Sequence, residues 1–144
     1  MTHTFLLQPG RWSAQGRCFD ARYRTQAVRG ELQVRHGVLA WDVQGWVGLV
    51  DKASRLELDC AVAPSKGGAA ARWRWRHPAL GEFEGSWELA GRRMFSSFGS
   101  RDDRHGGQAT FTRKDEKTYL SEGELRCRGA IVCSWELTLR RLVA

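Results

Sequence analysis

Apolar and polar side chains alternate with a period of two along most of this chain, and that pattern excludes most folds at the outset. Only an extended strand sends successive side chains to opposite faces; a helix would spread the same residues around its circumference. The final stretch is clearest. Ile131, Cys133, Trp135, Leu137 and Leu139 form one face, and Ser134, Glu136, Thr138 and Arg140 the other. Tyr119, Ser121, Gly123, Leu125 and Cys127 alternate with Glu122, Glu124, Arg126 and Arg128, and Phe83, Gly85, Trp87 and Leu89 with Glu82, Glu84, Ser86 and Glu88. Leu56, Leu58, Cys60 and Val62 repeat the pattern, as do Trp73 and Trp75 between Arg72, Arg74 and Arg76. Strands with one dry and one wet face read this way.

Short polar breaks separate the runs: His36-Gly37, Asp51-Lys52-Ala53-Ser54, Gly91-Arg92, Asp115-Glu116-Lys117 and Gly129-Ala130. They divide the chain into about ten strands, near 5–19, 22–35, 38–50, 54–63, 69–77, 81–90, 92–100, 107–114, 117–128 and 131–142. Hairpin connections throughout imply a meander. A meander this long leaves two open edges unless it closes, and closure removes an aggregation hazard. The expectation is an all-β fold, one antiparallel up-and-down barrel over residues 1–144, with a two-sheet sandwich as the alternative. A hydrophobic share of 42% and a charged share of 27% suit one globular domain and argue against disorder.

The alternation also assigns directions. Trp12, Trp41, Trp73, Trp75, Trp87 and Trp135 fall on inward faces, as do Cys18, Cys60, Cys127 and Cys133. Small residues (Ala14, Gly16, Gly85, Ser121, Gly123) sit among them. Two readings stay open: the small residues make room for indole rings in a filled core, or the gaps add up to a cavity. A buried indole N–H needs an acceptor, and Tyr23, His77, Ser96, Arg113, Tyr119 and Arg141 are the polar candidates on the same faces. Arg113 and Arg141, near strand ends, suit a barrel mouth with their heads in solvent. A loop at Gly129-Ala130-Ile131 sets Cys127 opposite Cys133, Leu125 opposite Trp135 and Gly123 opposite Leu137.

Catalytic and metal signatures are missing. There is no CxxC, P-loop, GxGxxG, GxSxG or HExxH, and the histidines at 3, 36, 77 and 105 are scattered. Only His77 belongs to an aromatic stretch. No catalytic residue, metal ligand or cofactor is assigned. The opening Met-Thr-His-Thr-Phe-Leu-Leu-Gln-Pro-Gly lacks a basic start and a long apolar core, so the expectation is no signal peptide, a reducing cytoplasmic address and free thiols. The net charge of +7 comes almost wholly from arginine. That bias fits the coding habit of a GC-rich, bacterial genome, or a basic surface for nucleic acid or another polyanion. Arg72-Trp73-Arg74-Trp75-Arg76 looks suited to single-stranded nucleic acid, yet on a strand its arginines and indoles part to opposite faces.

Gly10-Arg11-Trp12 stands where lipocalins carry Gly-x-Trp in the first strand, and Arg140 or Arg141 stands where their last strand carries an Arg that packs over that Trp. In these residues and in strand layout the chain resembles the calycin superfamily, the lipocalins and fatty-acid-binding proteins. It departs from them in lacking Thr-Asp-Tyr and any helix pair between Cys18 and Arg22. The resemblance implies a barrel with an interior site for a small, largely apolar molecule. The inward-facing residues assigned to such a ligand are Trp73, Trp75, Trp87 and Trp135 as walls, with His77, Tyr119 or Arg141 orienting its polar end.

Overall fold

A computed structural model describes residues 3–53 and 55–142. Among the described residues ten strands follow one another with no helix between them: β1 (Gly10–Asp20), β2 (Thr25–His36), β3 (Trp41–Leu49), β4 (Arg55–Pro64), β5 (Ala70–His77), β6 (Gly81–Ala90), β7 (Arg93–Ser100), β8 (His105–Asp115), β9 (Thr118–Cys127) and β10 (Ala130–Arg141). Each pairs antiparallel with its neighbours in sequence, and β1 pairs with β10 to close the barrel. The sandwich alternative is thereby excluded. No helix among the described residues is long and apolar enough to cross a membrane.

In a closed meander, the starts of odd strands and the ends of even strands share one pole. The pole holding the start of β1 is plugged. The expected strand over 5–19 begins only at Gly10. Before it, residues 4–8 fold as a tight turn, with Leu6 at φ 69° and the Gln8 N–H donating to the Thr4 carbonyl at 3.3 Å. Alternation fails in Phe5-Leu6-Leu7, and the reason is now visible: the run is a stopper, with Phe5 and Leu6 buried at 2% and 1% exposure. Phe5 meets Trp12 edge-to-face at 5.3 Å and stacks on Phe111 at 5.4 Å.

Polar bonds fasten the stopper. The Tyr119 hydroxyl lies 2.9 Å from His3 Nδ1 and accepts the Thr4 N–H at 3.0 Å. The Thr4 hydroxyl donates to the Glu116 carbonyl at 2.7 Å. Arg141, the register partner of Trp12, donates to Gln8 Oε1 at 2.9 Å and to the Pro9 carbonyl at 3.1 Å. Arg113 is buried at this same pole with Nε bonded to the Asp115 carbonyl, not at a mouth with its head in water. Tyr23 is also reassigned: it has φ 60° in the turn between β1 and β2 and is 76% exposed.

Two turns differ from expectation. The β2–β3 connection takes four residues, 37–40, closed by the Gly37 N–H on the Ala40 carbonyl, while His36 stacks on Trp41 at 4.0 Å. Between β9 and β10 the turn is Arg128-Gly129, both at positive φ (51° and 85°), the backbone a tight two-residue hairpin requires. It pairs Cys127 with Ala130; a bulge between Ile131 and Cys133 then sets Leu125 opposite Cys133 and Gly123 opposite Trp135. The expected register is therefore displaced by two residues. An even slip preserves the faces, so the inward assignments survive from Cys133 onward, while Ile131, before the bulge, sits opposite Arg126 of the outer face.

Candidate functional site

The opposite pole is open, and a cavity of about 610 Å³ occupies it. It is assembled from the ends of odd strands and the starts of even ones: Cys18 from β1, Val28 from β2, Val47 and Leu49 from β3, Leu56 and Leu58 from β4. Phe83, Phe98, Leu125, Cys133, Trp135 and Leu137 continue the ring, with Trp75 and His77 at the end of β5 and Leu80 in the connection beyond it. Alternation explains why one pole is so uniformly apolar: alternate residues of nine strands point into the same space.

The indoles show how small residues shape the interior. A Cβ on Gly85 would collide with the Trp73 ring, and one on Gly123 with the Trp135 ring. Each indole thus lies flat over a cross-strand glycine and finds a serine acceptor: Trp73 Nε1 donates to Ser96 Oγ at 3.1 Å, and Trp135 Nε1 to Ser121 Oγ at 3.4 Å. Both readings of the small residues hold, at different heights in the barrel. Glycines seat the rings in the middle, and the space beyond them stays hollow.

Among the described residues His77 is the one histidine lining this cavity. Its Nδ1 accepts the backbone N–H groups of Ala79 and Leu80, both at 3.0 Å, and its ring meets Trp75 edge-on at 5.3 Å. With Nδ1 an acceptor, the neutral ring carries its proton on Nε2. The barrel wall is also incomplete here. β4 pairs with β5 only from Cys60–Trp75 to Pro64–Ala71, so the stretch Arg55–Asp59 has no ladder on that side. Arg55 touches the cavity rim, but its guanidinium lies over Trp46 at 4.5 Å on the outer surface.

The four cysteines are unpaired. Cys18, Cys60, Cys127 and Cys133 form no disulfide. Burial pushes the Cys60 thiol up to about 12, helped by the charge of Asp59. Cys133 is raised by burial and then by nearby Cys18, and Cys18 by burial and then Asp20. Thiols held this way are poor nucleophiles at neutral pH. Among the described residues no group of His, Cys, Asp and Glu is arranged to hold a metal ion.

Of the residues assigned from sequence, Trp75, His77 and Trp135 line the cavity. Trp73 lies deeper, against Phe98 at 5.7 Å. Trp87 belongs to the plugged pole, packed on Phe111 at 4.8 Å, as do Tyr119 and Arg141. The aliphatic ring from Val28 to Leu137 was not assigned. Counting which strand end falls on which pole would have found it, and would have removed Trp87 and Tyr119. Arg72, Arg74 and Arg76 are exposed, across the sheet from Trp73 and Trp75. Other exterior arginines pair with carboxylates, Arg17 with Glu136 at 3.2 Å and Arg101 with Glu82 at 2.8 Å.

No family model matches the chain, and no curated protein matches it in sequence. Solved structures do match in shape. The S-type phycobiliprotein lyase CPES from Guillardia theta superposes with a TM-score of 0.71 at 7% identity, covering 95% of this chain and 89% of the lyase. Rv2717c from M. tuberculosis superposes with a TM-score of 0.66 at 13% identity, covering 93% of this chain and 92% of that one. At such identities the likeness concerns architecture alone: this chain is a ten-stranded antiparallel barrel of the calycin-like kind.

Proposed function

We propose that this chain is a binding barrel that takes a small apolar or amphipathic molecule into its open pole. The observation that carries the reading is the cavity itself: about 610 Å³, walled almost entirely by aliphatic and aromatic side chains and stoppered at its far end. That volume lies inside the range of small-molecule sites, and apolar wall of this extent is stabilised when a ligand covers it. The shared barrel architecture of one structural neighbour, a phycobiliprotein lyase, supports the small-ligand reading. No reaction is proposed, because burial raises the Cys133 and Cys18 thiols and leaves them poor nucleophiles at neutral pH.

Trp75 and Trp135 stand in the wall, so occupancy changes their emission. Titration with fatty acids, aromatic acids and tetrapyrroles should quench or shift tryptophan fluorescence for at least one class. W75F and W135F should shrink the response, and W12F should not, since Trp12 is sealed at the plugged pole. Unchanged emission together with no calorimetric heat across the panel would end the proposal.

A further inference from the structure

We infer that the ligand is held by a hydrogen-bond-accepting polar end, a carboxylate or equivalent acidic group, which His77 reads through its Nε2–H. The inference rests on the binding reading above and narrows it to a chemical class. Its starting point is the loop after β5. His77-Pro78-Ala79-Leu80 wraps back on the imidazole, so Nδ1 accepts the N–H of Ala79 and of Leu80, both at 3.0 Å. Pro78 has no N–H to compete. Two donors aimed at one ring nitrogen leave it no room for a proton, which puts the neutral ring's proton on Nε2. A ring fixed in this way offers a donor and no acceptor.

Location gives the donor its purpose. His77 lines the cavity, and among the described residues its ring hydrogen bonds are both made by Nδ1. The ring is braced by Trp75 at 5.3 Å. It also stands beside the unladdered stretch of β4, where Leu58 would be its next register partner. A polar end placed there keeps contact with water through the gap while its apolar body lies against Leu56, Leu58, Phe83 and Trp135. An ammonium group has only donors and meets a donor. A hydroxyl accepts weakly. A carboxylate accepts strongly, and a hydrogen bond to a charged acceptor is worth roughly tenfold or more in affinity.

The bland alternative is that His77 only caps its turn, and Asn separates the two roles. The Asn carbonyl oxygen takes the place of Nδ1 and accepts the same N–H groups, while nothing replaces Nε2–H. Wild type and H77N are titrated calorimetrically with decanoate, decan-1-ol and decylammonium at pH 8. Wild type should prefer decanoate to decylammonium by at least about tenfold. H77N should melt within a few degrees of wild type, with that ratio collapsed to about threefold or less. A second readout needs no variant: decanoate should move the His77 Nε2 resonance in long-range proton–nitrogen spectra and leave Nδ1 unprotonated. A ratio unchanged in folded H77N, or an unmoved Nε2 at saturating decanoate, overturns the inference. Equal binding of all three probes overturns it too and leaves the binding barrel standing. Only binding of none, confirmed across the wider panel, brings down the binding barrel with it.

Discussion

The two poles of this barrel are made by the same ten strands with the same alternation, yet one is packed shut and the other is hollow. At the plugged pole Trp12, Tyr119 and Met94 are 0% exposed, and Phe5 fills the space that remains. At the open pole Trp75 and Trp135 stay half-buried around a void. Alternation therefore decides only which way a side chain points. Whether the inside is full depends on an extra piece of chain, the turn over residues 4–8, that no strand pattern announces. The difference divides labour: contacts that hold the fold gather at one end, and surface left unsatisfied at the other.

The contrast is sharpest for tryptophan. W12A should cost about 3–5 kcal/mol in urea unfolding, as expected for an aromatic deleted from a sealed core. W135A should cost at most roughly half as much, because water already reaches its surroundings. Equal losses would erase the distinction between the poles. G123A should come next, at about 1–3 kcal/mol, because its methyl meets the Trp135 ring and the Gln108 carbonyl; G67A, with open space around it, should stay within about 0.5 kcal/mol. A neutral G123A would mean that the indole does not rest on the glycine.

The smallest effect appears only in alkali. Below pH 9.0 the folded and unfolded chains both carry the Cys60 thiol, so it adds no pH dependence; between pH 9.0 and about 12 the unfolded chain ionises first and stability falls. C60A should show a shallower decline over that interval when denaturation midpoints are compared. Parallel curves would place Cys60 in contact with water.

Much of this was legible in the residues. Alternation settles the face of Trp73, Trp75, Trp87 and Trp135, and the even-numbered register error between β9 and β10 shows how robust faces are compared with partners. Partners depend on turn geometry, and Arg128 at positive φ is not a conformation that composition advertises. The site was half legible. Trp75, His77 and Trp135 were assigned for being aromatic or titratable, whereas Leu49, Leu56, Leu58 and Leu125 earn their place only through the pole their strand ends share. Trp87 and Tyr119 misled because chemistry was weighed before topology. His77 as a turn cap was beyond reach, since its bonds go to backbone atoms of a loop.

Closure through β1 and β10 has a kinetic corollary. The final seam joins Trp12 to Arg141, and the stopper's anchor spans 116 positions from His3 to Tyr119. Such long-range pairings come late and slowly, because loop entropy must be overcome before any contact repays it. On the ribosome the pocket stays an open ribbon until β10 emerges, and the nascent strands must survive that wait with their apolar faces uncovered.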